Sequence, residues 1–226
     1  MRVLRIAIMS VAGFVVAFSA SAAFADLAQY GYTSSGTGVD GSRADVTGKS
    51  FNPNFGQCVL YSTLVANTQS GSSFRQVQAG IVKCDSVTLS GCQGNYGFVE
   101  TIIGSTFNCQ QGNSFQTSVP YAMQVQRNSS TSNMMTGTSR SATASAGGFG
   151  LSDAVAVTWA EATSGGSQFC PVGAHNGRID SWQRYKYGIG WVTVNAPNLY
   201  ANNGAIDPPC WLPLSYSGGG YDLQGN

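Results

Sequence analysis

The chain of 226 residues contains two glutamates, and both stand in runs that alternate like β-strands: Glu100 in "NYGFVETII" and Glu161 in "DAVAVTWAEATSGG". With charged residues at only 9%, against roughly 25% in an ordinary domain, each carboxylate is a scarce chemical resource. In "AVAVTWAE" alternation puts Val155, Val157, Trp159 and Glu161 on one face and Ala154, Ala156, Thr158 and Ala160 on the other. A carboxylate that shares a face with Trp and Val is partly desolvated, which raises its pKa and suits it to general acid–base work. The ordinary alternative is a strand-end glutamate pointing at solvent. A second group of polar side chains stands in "FRQVQAGIVKC". There Gln76, Gln78, Gly80 and Val82 share a face opposite Val77, Ala79 and Ile81. An amide on such a face can donate to an oxyanion, and the glycine leaves room for the backbone of a ligand.

Other chemistries are missing their residues. There is no G-x-S-x-G elbow, HExxH, P-loop or dinucleotide fingerprint. The single histidine, His175 in "FCPVGAHNGR", stands alone and is expected on a surface loop, so neither a histidine-assisted nucleophile nor a metal site is expected. No cofactor is expected. The near-neutral balance gives no electrostatic footprint for nucleic acid.

The elements that must position these groups begin after a leader. "MRVLRIAIMSVAGFVVAFSASAAFA" has a basic start, an apolar run and an A-x-A ending, which marks residues 1–25 as a secretory signal. Cleavage before Asp26 would remove Arg2 and Arg5 and take the formal charge from +1 to −1. No later segment approaches spanning length, so a secreted, extracellular product with no membrane insertion is expected. Six cysteines in an exported chain, Cys58, Cys84, Cys92, Cys109, Cys170 and Cys210, imply disulfides. Cys84 and Cys92 bracket a loop short enough for a local bridge, and Cys170 with Cys210 would pin the tail, but spacing does not decide the pairing.

Short alternating runs separated by Gly, Asn and Ser recur along the chain and point to an all-β sandwich. They include "QCVLYSTLVAN", "SFRQVQAGIVKC", "YGFVETIIG", "SVPYAMQVQRN", "DAVAVTWAEA", "NGRIDSWQRYK" and "GWVTVNA". The Ser/Thr/Gly-rich stretch 127–150 is expected to be a turn plus a small-residue strand. Residues 26–226 are expected to form one domain, loop-rich from about 196. The segment 26–50 is either folded or a removable leader, with "DGSRADVTGKS" an accessible place to cut.

The order "VQAG…YGFVE…AVTWAE…GRIDSW" resembles the glutamic peptidases of the eqolisin type. The resemblance covers roughly residues 74–186, and Gln78 and Glu161 stand 83 positions apart, close to the family's own spacing. It implies a concanavalin A-like jelly-roll β-sandwich of two antiparallel sheets and a Gln78/Glu161 catalytic dyad acting on polypeptide in acid. Gln76, Glu100 and Trp159 would contact the substrate, and Gln78 and Glu161 should face one another across adjacent strands in an open groove. The competing reading is a non-catalytic, lectin-like sandwich that binds extracellular glycan through amides and through Trp182, Trp191 or Trp211. A scaffold protein, or a glycosidase built on Glu100 and Glu161, comes behind these.

Overall fold

The computed structural model describes residues 27–53, 57–85, 94–164, 174–202, 211–213 and 216–225. The expected secretory signal at 1–25 and the cysteines Cys92, Cys170 and Cys210 lie outside them. The described residues form fifteen strands: β1 (Leu27–Thr33), β2 (Gly41–Asn52), β3 (Gln57–Asn67), β4 (Arg75–Asp85), β5 (Asn95–Ile103), β6 (Thr106–Ser114), β7 (Tyr121–Arg127), β8 (Met135–Ser139), β9 (Ala142–Ala146), β10 (Ala154–Ser164), β11 (Ala174–Lys186), β12 (Gly190–Thr193), β13 (Asn198–Asn202), β14 (Trp211–Pro213) and β15 (Tyr221–Gly225). The only helical turn among the described residues is Gly71–Ser73.

Two antiparallel sheets result. One has the order β13-β1-β10-β3-β4-β5-β6; the other runs β14-β15-β11-β2-β7-β8-β9, with β12 added on β11. This is an all-β sandwich of two antiparallel sheets, as alternation predicts. Between them lies a core of Tyr61, Val77, Ala79, Ile81 and Val99 against Ala44, Val46, Met123, Val125 and Trp182. Trp182 and Trp211 are fully buried, so neither is a sugar platform. Trp182 donates its indole N–H to Ser42 Oγ at 3.0 Å, and Ser42 pairs with Thr63 of the facing sheet at 2.6 Å.

Several expectations are corrected. Residues 27–52 are folded into both sheets: β1 lies between β13 and β10, and β2 lies between β11 and β7. A cut in "DGSRADVTGKS" would fall in the ladder of a central strand. The stretch 127–150 supplies a hairpin of two strands, β8 and β9, where one strand is expected. Cys84 is bridged to Cys58, not to Cys92. The two are direct partners in the β3–β4 ladder, with Cα atoms 4.0 Å apart, so register rather than loop length makes the bridge. Cys109 is also disulfide-bonded. His175 is buried within β11, edge-on to the Trp211 ring, and its carbonyl accepts bonds from Tyr61 and Trp211.

Candidate functional site

The seven-stranded sheet has a second buried face, turned away from the sandwich core. Alternation places Val155, Val157, Trp159 and Glu161 of β10 on it with Leu60, Ser62 and Leu64 of β3. Gln76, Gln78, Gly80 and Val82 of β4 and Tyr96, Phe98 and Glu100 of β5 complete it. All five residues singled out from the sequence, Gln76, Gln78, Glu100, Trp159 and Glu161, therefore share one face. All five are buried: Gln78 is 1% exposed, Glu100 4% and Glu161 7%. Glu161 is thus no solvent-facing strand end.

Register decides who neighbours whom. Gln78 lies directly opposite Glu100 on one side and Leu64 on the other. Glu161 lies opposite Leu60, with β3 between its strand and that of Gln78. The direct cross-strand partner of the amide is therefore Glu100, and the expected juxtaposition across adjacent strands in an open groove is not the arrangement seen. Cys109 of β6 continues the Gln78–Glu100 row, so disulfide-bonded cysteines border this face at Cys109 and at Cys58–Cys84.

The amide of Gln78 is fixed at both ends. Its Oε1 accepts from Gln76 Nε2 at 2.7 Å, and its Nε2 donates to Ser62 Oγ at 2.9 Å. A primary amide carries two N–H donors, so one remains for a ligand. Ser62 faces Trp159 across the β3–β10 ladder and is the link toward the Glu161 side of the face. It escapes a reading of the sequence, although a serine in the otherwise apolar series Cys58, Leu60, Leu64, Ala66 is the visible trace. Tyr96 is a second such residue: its hydroxyl is buried and makes no hydrogen bond among the described residues.

The glycine at 80 does not make room for a ligand. A Cβ there would stand 2.3 Å from the Tyr61 carbonyl and 3.0 Å from the Phe98 ring, which covers the position. Replacing Gly80 by Ala should destabilise the protein by roughly 1–3 kcal/mol, because backbone rather than a flexible side chain must yield. Urea unfolding of the variant beside wild type measures this.

Electrostatics couples the two glutamates. Burial, and then the charge of Glu161, push the Glu100 carboxyl well above the usual glutamate range. Folded Glu100 keeps its proton at pH values where the unfolded chain has released it. The native state then binds more protons, so stability falls as pH rises from the ordinary glutamate range toward the folded value. Glu100→Gln removes that penalty while keeping the shape. Its melting temperature should match wild type in acid and exceed it by a few degrees near neutrality. Calorimetry at both pH values is the check, and a constant difference would assign the effect to packing instead. No group of three metal-ligating side chains occurs among the described residues.

No protein-family model matches the sequence, and no curated protein matches it significantly. Solved structures do. A scytalido-glutamic peptidase bound to a peptide-based transition-state analogue superposes with a TM-score of 0.58 at 12% identity, covering 88% of this chain and 98% of that one. SCP-B, a member of the eqolisin family of peptidases in complex with the tripeptide Ala-Ile-His, gives 0.54 at 12% identity over the same shares. This is the fold of the glutamic peptidases. At such identity the likeness concerns architecture. Within this fold, the chain carries Gln76, Gln78 and both of its glutamates on one face of the seven-stranded sheet.

Proposed function

We propose that this face hydrolyses peptide bonds in acid, with Gln78 and Glu161 as the working pair. The observation that carries the proposal is the fixed amide with one spare N–H on the same face as two electrostatically coupled carboxyls. Glu161, ionised, takes a proton from a water as that water attacks the scissile carbonyl. The Gln78 N–H stabilises the oxyanion of the tetrahedral intermediate, and Glu161 returns the proton to the departing amine. Glu100 holds a proton beside them, which limits the pair to one negative charge. Gln76 fixes the amide; Trp159 and Glu100 border the bound chain. Rates should fall as Glu100 loses its proton, which sets the alkaline limit of the activity.

Gln78, Glu100 and Glu161 are buried, so the reading requires that a polypeptide gain access to this face. Residues 1–25 serve as the secretory signal, and the product is a single extracellular domain. The Cys58–Cys84 bridge, which suits an oxidising compartment, supports that placement. The test is incubation of the secreted protein with an unfolded protein substrate from acid to neutral pH, beside Glu161→Gln. Cleavage in acid by wild type and none by the variant is the expected result. Equal cleavage by both, or none by either, overturns the proposal.

A further inference from the structure

The eight-stranded sheet carries a groove on its own outer face, on the opposite side of the sandwich from Gln78 and Glu161. Its volume is about 540 Å³, within the range of small-molecule and oligomer sites. Arg43, Asp45, Gln124, Thr138, Ser181 and Gln183 supply its polar lining. Gln183, Arg43, Gln124 and Thr138 are successive cross-strand partners on β11, β2, β7 and β8. They form one polar row at the strand spacing of about 4.8 Å, which is close to the repeat of sugar rings in an extended glycan.

The row is ordered before any ligand arrives. Arg43 Nε donates to Gln183 Oε1 at 2.7 Å, and its guanidinium lies 4.4 Å from the centre of the Trp191 ring. That ring is itself held against Gly41, where a Cβ would stand 3.2 Å from it, and against Tyr185. Gln124 is held through its Nε2, which donates to Gln126 at 2.8 Å. These bonds leave the terminal nitrogens of Arg43, the Oε1 of Gln124 and the Nε2 of Gln183 unused. Asp45 and Thr138 make no side-chain hydrogen bond or ion pair among the described residues. At the rim, Ser181 has φ 54° within an irregularity of the β11–β2 ladder between Asp180 and Gln183. A bulge with a non-glycine residue in the left-handed region costs stability and recurs beside binding sites.

We propose that this groove binds a neutral polysaccharide. Each hydroxyl of a sugar both donates and accepts, so a row that mixes spare donors and spare acceptors can satisfy adjacent hydroxyls in pairs. The lining holds one guanidinium, Arg43, and one carboxylate, Asp45, so it has no net charge to draw an anionic polymer. An extended peptide has no purchase here, because the floor is the closed interior of a sheet with its backbone groups already paired. The site would hold the protein on an extracellular glycan while the opposite face remains available for chemistry.

Affinity electrophoresis of the full secreted protein through gels containing soluble neutral glucan, mannan, xylan or galactan tests this. At least one should retard wild type, and Asp45→Ala or Gln124→Ala should each weaken the interaction about tenfold. Glu161→Gln should be retarded like wild type. Thr138→Val, which keeps volume, replaces either groove variant that melts early. No retardation by any of the four glycans overturns the proposal. So does retardation that survives the groove variants or is lost with Glu161→Gln.

Discussion

Gln78→Ala should lower the rate constant of peptide hydrolysis by about 10²–10³-fold while leaving KM nearly unchanged, the cost of removing one preorganised oxyanion donor. The reason lies in how the amide is held. Its carbonyl is occupied by Gln76 and one of its N–H groups by Ser62, so the remaining N–H is oriented before substrate arrives. A donor that needs no reorganisation acts mainly on the transition state, where charge develops on oxygen, and little on the ground state. Ser62→Ala therefore provides a graded companion. It leaves the donor in place but releases one end of the amide, and the rate should drop by less than with Gln78→Ala. Progress curves on a single peptide, fitted for kcat and KM separately, measure both. An unchanged kcat with a raised KM in Gln78→Ala would place the residue in substrate binding and remove it from the oxyanion site.

The legibility of this protein in its sequence divides along the range of the interactions. Period-two alternation is local, so β3, β4, β10 and β11 and the sharing of one face by Val157, Trp159 and Glu161 follow from the sequence alone. The same rule separates Gln76 and Gln78 from Val77 and Ala79, and the structure keeps that division. Strand β2 escapes because its inward positions are Ser42, Ala44, Val46 and Gly48. They are small because the large rings come from elsewhere. Trp182 reaches Ser42, and Tyr61 occupies the place where a Cβ on Gly177 would stand. A strand whose core partners are brought by other strands carries little hydrophobic signal of its own. Register is non-local altogether. That Cys58 meets Cys84, that Glu100 rather than Glu161 faces Gln78, and that β3 intervenes are consequences of which strands pair. No spacing within a single strand encodes them. Burial of the glutamine–glutamate face is also invisible to alternation, which reports two faces but not that both are covered.

Replacing Arg127 by Met should cost about 3–5 kcal/mol, the largest stability loss expected at any single position considered. Arg127 ends β7 and is fully buried, with its Nε 2.7 Å from Asp40 Oδ1. Its terminal nitrogens donate to the carbonyls of Ser132, Phe149 and Gly150 at 2.8, 3.3 and 3.0 Å. Asp40 in turn accepts from the backbone N–H of Tyr187 at 3.0 Å. One guanidinium thus gathers the chain before β2, the turn after β7 and the approach to β10. Methionine fills similar space but strips a buried carboxylate of its counter-charge and three carbonyls of the guanidinium N–H groups, and the unpaired charge accounts for most of the loss. Two further variants separate charge from shape. Arg127→Lys keeps the charge but cannot reach several acceptors from one planar group, so an intermediate loss is expected. Asp40→Leu combined with Arg127→Met removes the stranded carboxylate, and part of the stability should return relative to Arg127→Met alone. Chemical unfolding of the three variants gives the ordering, and a double variant less stable than Arg127→Met would show that Asp40 holds the Tyr187 turn more than it answers Arg127.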